Sequence, residues 1–461
     1  MQDIPPKPQP QYFPVYLPAH LLQRFAEARR RFFNPLLLWA IVVGILTGLL
    51  GGAFRSFVSQ LMGRREAFVH SFAAFPWVGI LVAIAISAVM VQIGFFLMRQ
   101  LAPETAGSGI PQIEATLEGV LPMRWWRVVP VKFISGLFVL SSGMVLGREG
   151  PTIQMGGGFG EAIANLVHAS REQTRMLVAS GAGAGLSAAF NAPLAGILFV
   201  IEELRPDFKD RPLALRAVTL ACIVATIIVQ LLLGQQPSLK ITEFDVPPLA
   251  SSWFFAILGI FLGVIGFFFN ILLVHTLNVF SRLRGLPHVL VGLGIGGFIG
   301  LLSWFYTPLT GGGEDTIISS FNGTLSGAPL LLIFVCRFAL SILCYGSGAP
   351  GGIFAPMLSI ATTFSQAFAV LVSSWFPTDI PEPSVLAVAG MGGLVAATVR
   401  APLTAIMLTI EMSANYWLIL PLLITCLLAT MTAHALGGEP IYSVLLARML
   451  GQRDDEPKTS E

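Results

Sequence analysis

The sequence predicts an all-α polytopic membrane protein whose membrane body is a duplicated unit. Three observations carry this. Hydrophobic residues make up 54% of the chain and charged residues only 11%, against roughly 25% charged in soluble domains. Long apolar runs recur over its whole length. Two motifs also occur twice within those runs. Ser142-Gly-Met-Val-Leu-Gly-Arg-Glu-Gly-Pro151 returns as Ser347-Gly-Ala-Pro-Gly-Gly-Ile-Phe-Ala-Pro356, with Ser, Gly, Gly and Pro in register at a shift of 205. Asn191-Ala-Pro-Leu-Ala-Gly-Ile-Leu-Phe-Val-Ile-Glu202 returns as Arg400-Ala-Pro-Leu-Thr-Ala-Ile-Met-Leu-Thr-Ile-Glu411 at a shift of 209. Matching Gly/Pro-interrupted segments in two halves of a membrane protein point to a transport site built from broken helices.

Residues 1–34 form a polar, Pro-containing leader in which 20–33 has the spacing of an amphipathic helix, Leu21, Leu22, Phe25 and Ala28 against Arg24 and Arg29 to Arg31. These arginines precede the first apolar run and place the N-terminus in the cytoplasm. Residues 35–210 form the first membrane repeat, with apolar runs at 35–53 and 77–98. Residues 211–251 are a connecting helix and loop. The second repeat, 252–438, carries runs at 253–274, 289–305, 329–344 and 403–435. The last is longer than the ~20 residues one span needs, and Pro421 within it predicts a kink or a break between two helices. Residues 439–461 are expected to form a helix carrying Tyr442 and a short cytoplasmic tail, too short for a folded regulatory domain. Arg448 and Arg453 put this end in the cytoplasm as well.

The placing of glycine matters more than its number. Gly107-Ser-Gly-Ile-Pro111, Gly147 to Pro151, Gly156-Gly-Gly-Phe-Gly160 and Gly351-Gly-Ile-Phe-Ala-Pro356 interrupt or flank apolar stretches. Proline favours the first turn of a helix, so the Gly/Pro clusters are predicted helix starts. A helix N-terminus offers unpaired N–H groups and partial positive charge. Several aimed at one point bind an anion without a full charge that would hold it too tightly. Ser108 adds a hydroxyl, and Ile353 and Phe354 add backbone amides. Glu149 lies inside one cluster. Its carboxylate can occupy the anion site itself, and protonation would release it, which makes a proton-coupled gate.

Gly107-Ser-Gly-Ile-Pro111, Gly147-Arg-Glu-Gly-Pro151, Gly351-Gly-Ile-Phe-Ala-Pro356 and the late Tyr442, in this order and spacing, resemble the CLC family of chloride channels and proton/chloride antiporters. The similarity spans about residues 35–450. It implies a homodimer with a separate pathway in each subunit, and two inverted-topology repeats of tilted, partly broken helices in a bacterial-type plasma (inner) membrane. By position, Ser108 and Tyr442 resemble the family's chloride ligands through their hydroxyls, and Ile353 and Phe354 its backbone-amide ligands. Glu149 matches the external gating glutamate and Glu203 the internal proton acceptor. Glu203 favours an exchanger of chloride for protons over the alternative, a passive voltage- or pH-gated chloride channel. No cofactor or metal is implied.

Other features are bland by comparison. A net charge of +2 argues for no nucleic-acid partner. Cys222, Cys336, Cys344 and Cys426 are small core residues. Glu202 and Glu411 are repeat mates with a shared structural task, such as a helix-end hydrogen bond. Glu114 either faces the proton route of Glu203 or stabilises a helix N-terminus, the simpler reading. Lys132 and Arg148 raise the local potential or snorkel. Arg337 is expected to pair with a carboxylate. A remote alternative, an intramembrane serine protease, would use Gly185-Leu-Ser187 and His434, but small residues at a helix interface explain that segment better.

Overall fold

The computed structural model describes residues 34–204, 208, 211–239, 241–242, 244–325, 327–376 and 381–454. The amphipathic segment expected over 20–33 lies outside them. Eight helices of the first half are α1 (Pro35–His70), α2 (Pro76–Leu101), α3 (Ile110–Glu118), α4 (Trp125–Ser141), α5 (Glu149–Leu166), α6 (Arg171–Phe190), α7 (Pro193–Phe199) and α8 (Pro212–Leu233). Eight more follow in the same order: α9 (Ser252–Ser281), α10 (Leu286–Phe305), α11 (Glu314–Phe321), α12 (Ala328–Gly346), α13 (Phe354–Ser373), α14 (Pro383–Val399), α15 (Pro402–Ser413) and α16 (Ile419–Ala435). A last helix, α17 (Ile441–Asp454), carries Tyr442. Among the described residues, eight helices are long and apolar enough to cross a membrane. Proline in the first turn starts helices in both halves, including α3, α7 and α15, where its missing N–H costs nothing.

The two halves match in detail. Asn191 and Arg400 occupy equivalent positions after α6 and α14, and both take the left-handed conformation, with φ of 56° and 71°. Each ends its helix, and Ala-Pro then starts the next one. α7 and α15 lie side by side and cap each other. Glu202 accepts from Leu403 N and Thr404 N at 3.0 and 2.6 Å. Glu411 accepts from Leu194 N and Ala195 N at 3.0 and 2.8 Å. Each carboxylate therefore stands at the C-terminal end of one helix and satisfies the free amides at the start of its repeat mate. Only antiparallel neighbours can do this reciprocally, so the halves run in opposite directions. The shared task expected of Glu202 and Glu411 is this exchange.

Small residues bring the backbones together within each half. A Cβ on Gly156 would overlap the Gly181 carbonyl, and one on Gly181 would overlap that of Gly156. Gly160 and Gly185 meet Leu177 and Thr152 carbonyls in the same way. The run 156–160 thus lies inside α5 and does not break it. Its glycines serve close packing between α5 and α6, where interfaces in lipid depend on small residues. The break expected within 403–435 is present, but at residues 414–418, before α16. Ala414 turns left-handed there (φ 57°), and Pro421 sits harmlessly in the first turn of α16.

Candidate functional site

Three of the predicted helix starts meet. α3 begins at Ile110 after Gly109 (φ 81°), α5 at Glu149 and α13 at Phe354. The loops before them are stitched together by backbone hydrogen bonds. Gly147 and Gly352, repeat mates, exchange both N–H···O bonds at 2.8 Å. Gly107 N donates to Gly348 O and Gly351 N donates to Gly107 O, at 3.3 and 3.0 Å. Gly311 N donates to Gly143 O at 2.7 Å, the symmetry counterpart of the Gly107 to Gly348 bond. Irregular backbone at membrane depth is tolerated where it is satisfied inside the protein, and these bonds provide that.

Glu149 is the first residue of α5 and is fully buried. Its Oε1 accepts from Phe354 N at 2.7 Å, so the carboxylate caps α13, the helix of the other half. Its Oε2 has no hydrogen-bond partner. Gly147 and Gly352 flank it, and a Cβ on either would overlap the carboxylate oxygens. The two glycines therefore keep open the space the carboxylate fills.

Ser108 and Tyr442 complete the surroundings. Ser108 is buried, and its Oγ accepts from Ile110 N at 3.3 Å. Gly150 is packed against it, so a Cβ there would lie 2.8 Å from Ser108 Cα. Tyr442 is fully buried and its Oη has no partner. Its ring stacks on Phe354 at 6.2 Å between centroids. Phe354 meets Phe199 of α7 edge-on at 6.0 Å. Tyr442 also lies within electrostatic reach of Glu149, Glu203 and Glu114.

Glu203 sits in a turn of π-helix, Val200–Leu204, that extends α7. Glu114 and Glu202 are its acidic neighbours. Glu114 lies beyond the first turn of α3, which carries no acidic residue. It is buried, and its Oε2 has no partner. Its surroundings match the less favoured reading, a neighbour of Glu203. The simpler one, helix-start stabilisation, fails because its carboxylate is a turn too far along.

Sequence reasoning passed over Tyr345, and the structure gives the cations it weighed, Lys132, Arg148 and Arg337, their partners. Tyr345, buried near the end of α12, donates from Oη to Ser108 Oγ at 3.2 Å and accepts from Ser108 N at 3.4 Å. Lys132 and Arg337 are repeat mates, both fully buried. Lys132 Nζ donates to the carbonyls of Thr105 and Gly107 at 2.8 and 2.6 Å, so it does not snorkel. Arg337 donates to the carbonyls of Pro308, Thr310 and Gly311 at 2.9 to 3.0 Å and to Ser359 Oγ at 2.9 Å. Its partners are thus carbonyls, where a carboxylate was expected, because the loop before α11 turns three of them inward. The shift of 205 between the two cations was the signal that could have revealed this common role. Arg148 pairs with Glu314 at 2.5 Å, at the wall of a cavity of about 420 Å³ that Gly147, Arg55 and Asp315 also line. Ser187 donates to Gly183 O at 2.9 Å within α6, and His434 is exposed near the end of α16.

Comparison with known proteins shows the family and the fold. Residues 89–434 match the family described as voltage gated chloride channel. The chain is 46% identical over 430 residues to the H(+)/Cl(-) exchange transporter ClcA of Salmonella paratyphi A, covering 91% of this chain and 90% of that protein. It is 45% identical over 452 residues to the ClcA exchanger of Vibrio cholerae serotype O1, covering 96% of each. The crystal structure of a slow cyanobacterial Cl−/H+ antiporter shares 50% identity and superposes with a TM-score of 0.88, covering 91% of this chain and 99% of that one.

Proposed function

The chain belongs to the voltage gated chloride channel (CLC) family, and from that premise we propose that it exchanges chloride for protons across a membrane, with Glu149 as the external gate and Glu203 as the internal proton acceptor. The observation that carries the reading is the bond from Phe354 N to Glu149 Oε1. That amide opens α13, where partial positive charge favours an anion. The carboxylate and a chloride ion would compete for it. When Glu149 is charged it holds the amide. When it takes a proton, its charge and most of its attraction are lost, and chloride takes the place. One proton is thereby tied to the movement of anion through the same point.

The remaining ligands follow from their chemistry. Ser108 and Tyr442 would donate hydroxyl protons to the anion, and the amides of Ile353 and Phe354 would supply the rest. Tyr442 has the unpartnered hydroxyl that such a ligand needs. Donors that are partial charges let the ion bind and leave. Protons would reach Glu149 from the inner side by way of Glu203, past Glu114 and Tyr442.

The protein is a multi-pass membrane protein. Its family resemblance and its arginines, Arg24 to Arg31 and Arg448, support placement in the inner membrane with both termini cytoplasmic. The resemblance also supports a homodimer in which each subunit has its own pathway.

The test uses purified protein in liposomes under a chloride gradient, with external pH recorded. Exchange predicts protons driven uphill in the sense opposite to chloride, and their arrest by Glu203→Gln. Chloride movement without any pH response would overturn the reading in favour of a passive channel.

A further inference from the structure

Ser108 Oγ accepts two hydrogen bonds, from Ile110 N at 3.3 Å and from Tyr345 Oη at 3.2 Å. A serine hydroxyl has two acceptor lone pairs and one proton to give. Both lone pairs are engaged here, so its proton has no partner within its own turn and must be spent elsewhere. Tyr345 Oη in turn accepts from Ser108 N at 3.4 Å, which fixes the direction of its own proton towards Ser108 Oγ. Tyr345 is 3% exposed and stands in α12, immediately before the Ser347-Gly-Ala-Pro segment whose glycines are stitched to Gly107. Gly107, with φ of 62°, lies under the tyrosine hydroxyl, and a Cβ there would come within 3.3 Å of it.

We infer that Tyr345 is a positioning residue that forces the Ser108 hydroxyl to present its proton to the transported anion, and so sets the affinity and selectivity of the site. The inference rests on the proposed reading of Ser108 as an anion ligand. A hydroxyl that already accepts two hydrogen bonds is polarised and becomes a stronger donor. It also needs no reorientation when the ion arrives. A donor of fixed direction favours a compact, charge-dense anion such as chloride over a large diffuse one such as thiocyanate, whose charge is spread along its length. Tyr345 thus acts from the second half on a ligand of the first, 237 residues away in sequence.

The test is chloride and thiocyanate binding by calorimetry on the full chain in detergent, with exchange in liposomes, for Tyr345→Phe, Ser108→Ala and the double variant. Phenylalanine keeps the ring and its packing and removes only the hydroxyl. The expected result for Tyr345→Phe is a three- to tenfold loss of chloride affinity, about the size of one hydrogen bond, with thiocyanate binding changed less. The Michaelis constant for chloride should rise while the proton-to-chloride ratio stays fixed. In the Ser108→Ala background, Tyr345→Phe should cost nothing further. An equal loss in both backgrounds, or equal losses for the two anions, overturns the inference, because Tyr345 would then act without Ser108 or without directing its proton. Unchanged chloride affinity in Ser108→Ala itself overturns the underlying ligand assignment as well.

Discussion

Replacing Glu149 with glutamine should tighten chloride binding, and the size of the effect can be worked from the geometry. In the resting site Glu149 Oε1 holds Phe354 N at 2.7 Å, a bond with a charged acceptor. Such a bond contributes about 1.5–3 kcal/mol net, and a neutral one about 0.5–1.5. Glutamine keeps a neutral acceptor at the same place, so the difference is about 1 kcal/mol. The start of α13 adds about 1 kcal/mol of attraction for the carboxylate that an amide does not share. Together, about 2 kcal/mol of competition disappears, which is close to a thirtyfold gain in chloride affinity. Calorimetric titration of chloride into the wild type and Glu149→Gln at one pH measures it. If protonation of Glu149 opens the site, chloride flux should rise in the wild type as pH falls, and the variant should lose that rise. Equal affinities, or a variant that binds more weakly, would refute the idea that carboxylate and anion share one amide.

Three other predictions follow from neighbouring contacts. Gly352→Ala places a Cβ where the Glu149 oxygen sits; the overpacking of ~1–3 kcal/mol should lower chloride turnover in liposomes about tenfold or more, and unchanged turnover would show that this space is not on the pathway. Arg337→Met orphans the inward carbonyls of Pro308, Thr310 and Gly311 and should cost about 3 kcal/mol of stability, seen as a lower melting temperature in detergent. Glu202→Ala and Glu411→Ala each remove a reciprocal cap and should lose similar amounts, about 1–2 kcal/mol. Glu202→Ala should lose slightly more, because Glu202 also accepts from Thr404 Oγ1 at 2.7 Å, and strongly unequal losses would argue against the symmetric role.

Much of this site was legible because its parts are backbone features with one-dimensional signatures. A proline shortly after glycine marks a helix start in each of the three clusters, and the starts at Ile110, Glu149 and Phe354 fall where their prolines predict. The duplication also told in advance that Glu202 and Glu411 do the same job. What stayed hidden depends on tertiary placement. Tyr345 is one aromatic residue in an apolar run, and nothing local says that its hydroxyl meets Ser108. Arg337 lies in a predicted span, where a carboxylate is the natural partner to expect, and nothing in the sequence says that the carbonyls of residues 308–311 turn inward to meet it. The glycines at 156–160 look like a break because glycine serves both turns and close helix contacts, and only the position of α6 separates the two. Pro421 misled for a similar reason: proline ends one helix or begins another, and the turn at Ala414 decides which.

The most direct test of the competition at Phe354 is to locate the anion. Bromide substitutes for chloride and can be placed by anomalous scattering in crystals of the wild type and of Glu149→Gln. Competition predicts a bromide within hydrogen-bond reach of Phe354 N in the variant and a carboxylate oxygen there in the wild type. Bromide beside Phe354 N in both, with Glu149 still bound to that amide, would contradict it.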